Sequence, residues 1–338
     1  MRALGLALLV TPAVAAQSPP TWRDPSPRQV RWITVDSSVR LDVLDCGGSG
    51  RPVVWLGCYL SAHIHDDVAP KLTNQFHVYG ITRRGIGASD KPATGYAVQR
   101  SVDDLLEVLD ALKAQKSLLV GTSCAGQVLT MFASQHSDRL SGLVYLDGAS
   151  DPTTPPYDPP LPDPTTVPRP LKPPTPEPDR SSFKAFTKQP GLKVTFPEAE
   201  WHQQFAENPD GSVGQSLLNP TIRQAITVDA RVKPNYAGIR VPVLAIYQAQ
   251  PPFEEVAAEY DIRNEQQRAA LFQQYTAIRN MYIRWQQDLR AAIPAARIVE
   301  LPGANLFMFL SNEADVLREI RAFVATLRGA QAPQAPPA

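Results

Sequence analysis

Apolar positions along this chain fall into short continuous runs that alternate with stretches of helical spacing. Val30 to Val35 and Val39 to Leu44 are strand-like runs split by Asp36-Ser37-Ser38, a turn cluster, and together they predict a hairpin. Pro52 to Leu56 is wholly apolar, the pattern of a strand buried on both faces. Phe76 to Thr82 predicts another strand, and Val102 to Leu112 carries apolar residues at helical spacing. Leu118 to Val120 stops at Gly121, turns through Ser123 and passes directly into helix-competent sequence from Gln127 to Gln135. Leu143 to Leu146 closes on Asp147, and Val241 to Tyr247 returns to the strand pattern. Leu271, Tyr275, Ile278, Tyr282, Trp285 and Leu289 then mark one apolar helix face, read as core packing. Arg297 to Leu301 is a last strand and Glu313 to Leu327 a closing amphipathic helix. Strand and helix alternating in this way predict an α/β protein with a mostly parallel central sheet flanked by helices.

Two interruptions and two ends complete the organisation. From 151 to 180 the chain is proline-rich and expected to run extended as a connector. Residues 181–235 read as short helices joined by Asn208-Pro209-Asp210-Gly211 and Asn219-Pro220 turns, a cap inserted between a first core half (30–150) and a second (236–327). Met1-Arg2, the apolar run to Val10 and the small residues around Ala15-Ala16 describe a secretory signal peptide over 1–16, so export to the periplasm or medium is expected, with cleavage near Ala16. A linker (17–29) follows, and a disordered Ala/Gln/Pro tail (328–338) ends the chain.

Composition narrows the partners. Thirty-three basic residues balance thirty-three acidic ones among 338, so no net field favours nucleic acid or an anionic membrane. No run after the N-terminus is long enough to span a bilayer, and the three cysteines (Cys46, Cys58, Cys124) lack metal-site spacing. No metal or cofactor is expected; the expected partner is a small-molecule substrate or ligand.

The chemistry centres on Gly121-Thr122-Ser123-Cys124-Ala125-Gly126. Small residues flank the serine where a strand turns sharply into a helix, the mechanical requirement of a nucleophile elbow. With the hairpin, the buried strand leading to Gly57-Cys58, the Arg83-Arg84-Gly85-Ile86-Gly87-Ala88-Ser89 turn, the strand ending Tyr145-Leu146-Asp147, and Leu301-Pro302-Gly303-Ala304-Asn305, the chain resembles the α/β-hydrolase fold family over residues 30–327. The resemblance implies a serine hydrolase acting on a small ester, amide or lactone. Ser123 would be the nucleophile, and the main-chain N–H groups of Cys58 and Cys124 the oxyanion hole. Such enzymes place the acid after the seventh or the sixth strand. Here the loop after Tyr247 has no carboxylate until Glu254, whereas the sixth-strand position offers Asp147, taken as the acid, with Asp151 a little beyond.

The same resemblance places a histidine in the turn after the last strand, and this chain has Leu306 there, with no histidine after His202. A leucine accepts no proton, so the triad is degraded or its base is non-standard. His63 and His65, just past the oxyanion loop, and His202 in the cap are the candidate substitutes; the bland role of His63 and His65 is to cap or pack a helix entered at Asp66. His77 and His136 read as structural and surface residues. Cys58 and Cys124 flank one hole, and a disulfide between them would need Cα atoms about 4.4–6.8 Å apart. Two further expectations stand beside the hydrolase: a catalytically inactive homologue holding a small apolar ligand in a cleft lined by Leu306, Phe307 and cap residues, and an interaction protein working through its prolines.

Overall fold

The computed structural model describes residues 22–25, 28–154, 157–171, 177–188 and 194–329. The expected signal peptide and residues 330–338 of the expected tail lie outside them. The N-terminal half supplies β1 (Gln29–Val35), β2 (Val39–Gly47), β3 (Arg51–Leu56), β4 (Phe76–Ile81), helix α1 (Val98–Ala111), β5 (Ser117–Thr122), α2 (Ala125–Gln135) and β6 (Leu140–Leu146). The cap contributes α3 (Phe183–Phe186), α4 (Glu198–Gln204), the pair β7 (Phe205–Glu207) and β8 (Val213–Ser216), and α5 (Pro220–Asp229). The second half adds β9 (Val243–Gln248), α6 (Phe253–Ala257), α7 (Glu265–Ala292), β10 (Arg297–Leu301), α8 (Met308–Ser311) and α9 (Glu313–Gly329).

Eight strands form one sheet in the order β1-β2-β4-β3-β5-β6-β9-β10. The β1–β2 and β2–β4 pairs are antiparallel and all later pairs parallel, as the alternation of elements predicts. The continuous apolar runs are explained by their two faces. Val54, Leu119, Tyr145 and Val243 pack with Val102 and Leu109 of α1, Leu129 and Phe132 of α2, and Leu289 of α7. Their neighbours Val53, Trp55, Leu118, Val120, Leu244 and Ile246 pack on the other side with Ile64, Leu72, and Ile320 and Phe323 of α9. Successive strand residues point to opposite faces, so a strand covered on both sides shows no polar alternation.

Three local expectations need correction. The first long helix starts at Val98 rather than Val102, because Tyr96 and Val98 are already buried and the chain enters the helix on that contact. In the cap, Asn208-Pro209-Asp210-Gly211 joins two short strands, not two helices; Asn208 N–H donates to Ser212 O (2.9 Å) and Gly211 takes a positive φ of 82°. No helix begins at Asp66: a 3-10 turn spans Ala62–His65, and Asp66 is its C-cap. Within the proline-rich stretch, the described part lies along α7, held by Gln273 to Pro160 O (2.8 Å) and Asn280 to Asp158 O (2.9 Å).

Register brings the site together. Leu56 pairs with Gly121, Gly121 with Tyr145, and Leu146 with Ile246, so β3, β5, β6 and β9 end side by side at one edge. Helix α2 leaves β5 so sharply that a Cβ on Gly126 would sit 1.8 Å from Gly148 O, which no side-chain adjustment relieves. Gly126→Ala should therefore lower stability by about 3 kcal/mol or more, read by urea unfolding; a loss under 1 kcal/mol would contradict this packing.

Candidate active site

Ser123 sits on the turn between β5 and α2 with φ 54°, the left-handed region that an L-residue enters at a cost of about 1–2 kcal/mol. Its N–H donates to Leu146 O (3.1 Å) and its carbonyl accepts from Gly126 N–H (2.9 Å), so the backbone is pinned on both sides of the serine. The side chain is partly exposed, and among the described residues no hydrogen bond engages its hydroxyl.

Beside it, Cys58 and Cys124 are joined in a disulfide with Cα atoms 5.3 Å apart. The bridge crosses 66 residues of sequence and ties the loop after β3 to the first residue past Ser123. Neither cysteine N–H donates to a backbone or side-chain group among the described residues. The disulfide thus holds two main-chain donors without partners among the described residues in the neighbourhood of Ser123. The third cysteine, Cys46, keeps its thiol, which burial pushes up to about 11.

Asp147 follows β6 at φ 51° and is buried. Its N–H donates to Ile246 O (2.9 Å), while its carboxylate accepts from Gln248 N–H (3.2 Å), Gln248 Nε2 (2.7 Å) and the Tyr282 hydroxyl (3.4 Å). Burial pushes its pKa up to about 6, and these donors only partly offset the cost of charge. The backbone beyond it is fixed by Tyr247 OH to Ala149 O (2.8 Å) and by Gln127 Nε2 to Ser150 O (3.0 Å). Asp151 turns away, accepting from the N–H and hydroxyl of Thr153 (2.8 and 2.6 Å).

The five histidines have other surroundings. His63 faces Asp66 and Asp24 (3.3 and 3.6 Å). His65 is buried against Trp55 and Phe309, and desolvation lowers its pKa to about 3. His202 is stacked between Trp22 (4.1 Å) and Phe183 (3.6 Å), and burial lowers it to about 4. His77 bonds Asp45 (2.7 Å), and His136 lies against Phe132. Among the described residues, none of these rings bonds the Ser123 hydroxyl. Leu306, 38% exposed, lines a cleft of about 790 Å³ with Phe307, Gln248, Pro251, Asn305 and Val194 of the cap region. No group of three or more potential metal ligands is clustered among the described residues, and none of their helices is long and apolar enough to cross a membrane.

Three participants escaped the sequence reading. Tyr282 packs on the apolar face of α7, as its spacing predicts, yet its hydroxyl reaches Asp147. Gln248 stands at the end of β9, where the acid of many relatives would be, and its carboxamide addresses Asp147 instead. Glu200, on cap helix α4, is fully buried and bonded to Ser61 in the loop after β3. A strand-end glutamine in place of an acid was the one sequence signal for any of them.

Residues 43–319 match the model of the alpha/beta hydrolase family, and the chain belongs to that family. A soluble epoxide hydrolase of a Corynebacterium species is 35% identical over 101 residues, covering 30% of this chain and 35% of that protein. The 2-(acetamidomethylene)succinate hydrolase of Mesorhizobium japonicum is 25% identical over 109 residues, covering 32% of this chain and 39% of the relative. The matched part thus spans less than half of these relatives' length. Among solved structures, an E-2-(acetamidomethylene)succinate hydrolase superposes with a TM-score of 0.61 at 17% identity, covering 88% of this chain and 99% of that one. An N-acyl homoserine lactone degrading enzyme gives 0.55 at 20% identity, covering 87% and 100%. At these identities the likeness establishes the shared fold.

Closing a loop of this length by a disulfide stabilises a fold by about 4 kcal/mol. Replacing both Cys58 and Cys124 by alanine should lower the unfolding free energy in urea by that order, with dithiothreitol reproducing the effect in the wild type and leaving the variant unchanged. The Asp147 carboxyl binds its proton more tightly folded than unfolded. Its contribution to stability is therefore highest below about pH 4 and falls as pH rises to about 6, by on the order of 2–3 kcal/mol. Asp147→Asn should remove that part of the decline when stability is measured at pH 4 and pH 7; an identical decline in both proteins would exclude Asp147 as its source.

Proposed function

We propose that this chain is a serine hydrolase of small esters, amides or lactones that works with a degraded triad. One observation carries the proposal: a positive-φ serine without a hydrogen-bond partner, next to two unpartnered main-chain donors that a disulfide holds together. The Ser123 oxygen attacks the substrate carbonyl carbon and its proton leaves to solvent. The resulting oxyanion is received by the N–H groups of Cys58 and Cys124, and its collapse breaks the bond from the carbonyl carbon to the leaving oxygen or nitrogen, which takes a proton from solvent to become the alcohol or amine. Water then cleaves the acyl-serine ester, releasing the acid and restoring the hydroxyl. Asp147 is the acid of this site, at the position the family offers after the sixth strand. With leucine at 306, no imidazole removes the proton in either step, so turnover is slow and the acyl-enzyme is long-lived. A sequence relative named 2-(acetamidomethylene)succinate hydrolase supports a small-molecule substrate. Export from the cell is part of the same proposal; a disulfide beside the nucleophile supports it, since such bonds persist in oxidising compartments.

The cleft favours a second reading, in which the pocket retains a small apolar ligand without turning it over. It is lined by Leu306, Phe307, prolines and Val194, and Leu306 stands where a base would be needed.

A fluorophosphonate probe should label the wild type and not Ser123→Ala; equal labelling would reject the hydrolase. With p-nitrophenyl acetate the wild type should release one equivalent of nitrophenol and then turn over slowly. Leu306→His should raise the steady rate by about a hundred-fold, the lower end of what a positioned base supplies. A wild type already as fast as Leu306→His would dispose of the ligand-binding reading.

A further inference from the structure

Glu200 belongs to the cap, yet its carboxylate is turned into the core and is 0% exposed. It accepts from Ser61 N–H (3.2 Å), from Ser61 Oγ (2.5 Å) and from Gln204 Nε2 (2.7 Å). Ser61 stands three residues past Cys58, and its hydroxyl also accepts from His63 N–H (3.2 Å), which opens the 3-10 turn that follows. The segment between them has little slack: a Cβ on Gly57 would sit 2.8 Å from Leu60 O. Ser61 and Cys58 thus belong to one tightly folded loop. The cap grips this loop at a second point, where the Tyr59 hydroxyl meets Thr227 Oγ1 of α5 (2.7 Å) and Arg223 lies over the Tyr59 ring.

We propose that Glu200 is a positioning residue, by which the cap holds the oxyanion loop and sets the Cys58 N–H in place beside Ser123. The assignment rests on the function proposed above and adds to it a role for the cap. A carboxylate is a costly means of packing, since an apolar side chain of similar volume would fill the space without desolvating a charge. What it gives in return is three directed bonds, two of them to one residue of the loop. The groups facing it are Ser61 and Gln204, with His63 beyond Ser61 and Asp24, Asp66 and Arg28 grouped around His63. Burial pushes the Glu200 carboxyl up to about 7, so its grip changes near neutral pH. Ionised, it accepts all three donors. Protonated, it must donate to Ser61 Oγ, and the serine hydroxyl loses its acceptor.

The test uses the full chain and the fluorophosphonate probe, with Ser123→Ala as the blank. Wild-type labelling should fall as pH drops through about 7. Glu200→Gln should label about ten-fold slower at pH 8, a fraction of what loss of a whole oxyanion donor costs, and should lack that pH limb. Glu200→Met, close in volume, should match wild-type thermal stability while labelling as slowly as Glu200→Gln. Amide hydrogen exchange should speed up at residues 58–61 in both variants while the central strands stay protected. Labelling within two-fold of wild type, with an unchanged pH profile, overturns the proposal and leaves the Ser123 site standing. If wild type labels no faster than Ser123→Ala, the hydrolase reading fails and exchange alone decides: unchanged protection at 58–61 in Glu200→Gln overturns the positioning role, and selective loss there upholds it.

Discussion

Leu56, Gly121 and Tyr145 lie side by side across three parallel strands, and the rest of the site depends on that register. A parallel ladder is slanted but evenly spaced, so strands ending level deliver their next residues to one place. The residues delivered are Gly57-Cys58, Ser123-Cys124 and Asp147. Two of them, Ser123 and Asp147, hold positive φ angles that their own chemistry disfavours. Surrounding contacts compensate: the backbone bonds from Ser123 to Leu146 and from Asp147 to Ile246, the close approach of Gly126 to Gly148, and the covalent bridge between the neighbouring loops. A one-residue slip of β5 against β3 would exchange the two faces of the strand and part the serine from the cysteine loop.

Much of this was legible in the chain because the physics is local. A strand covered on both faces must be apolar throughout, and Pro52–Leu56 and Leu118–Val120 are. A turn from strand to helix in one step requires small residues, and Gly121, Ala125 and Gly126 supply them. What stayed hidden depends on distance in three dimensions. The disulfide needed a Cα separation that composition does not encode. Glu200 reads as one more acid in Glu198-Ala199-Glu200, yet its partner Ser61 lies 139 residues earlier. Tyr282 fits an apolar stripe because its ring packs there, and only its hydroxyl departs from it. The hairpin in the cap escaped notice because strands of three and four residues carry too few positions for a period to appear.

The electrostatics at Asp147 follow from the neutral groups packed around it. In a complete triad the acid faces a ring that becomes positive, and that charge favours the ionised carboxylate. Asp147 instead faces a carboxamide, a main-chain N–H and a phenol, all neutral. They satisfy its lone pairs without matching its charge, which is why burial prevails and its pKa is raised. Glu200 is in the same position, with neutral donors around a fully enclosed carboxylate. Two buried acids without a cationic partner in contact make this edge of the sheet sensitive to the proton concentration around it.

The unpaired thiol has a bearing on how well the bridge survives. Disulfides are shuffled by thiolates, and desolvation of the partly buried Cys46 pushes its thiol up to about 11, so little thiolate is present at neutral pH. The folded chain thus carries its own potential scrambling agent in a chemically silenced form. Unfolded, the same sulfur regains an ordinary acidity and can attack either bridged cysteine. Heat or denaturant applied in alkaline buffer would thus convert a reversible transition into an irreversible one, with mispaired species accumulating, whereas mildly acid refolding would preserve the native link.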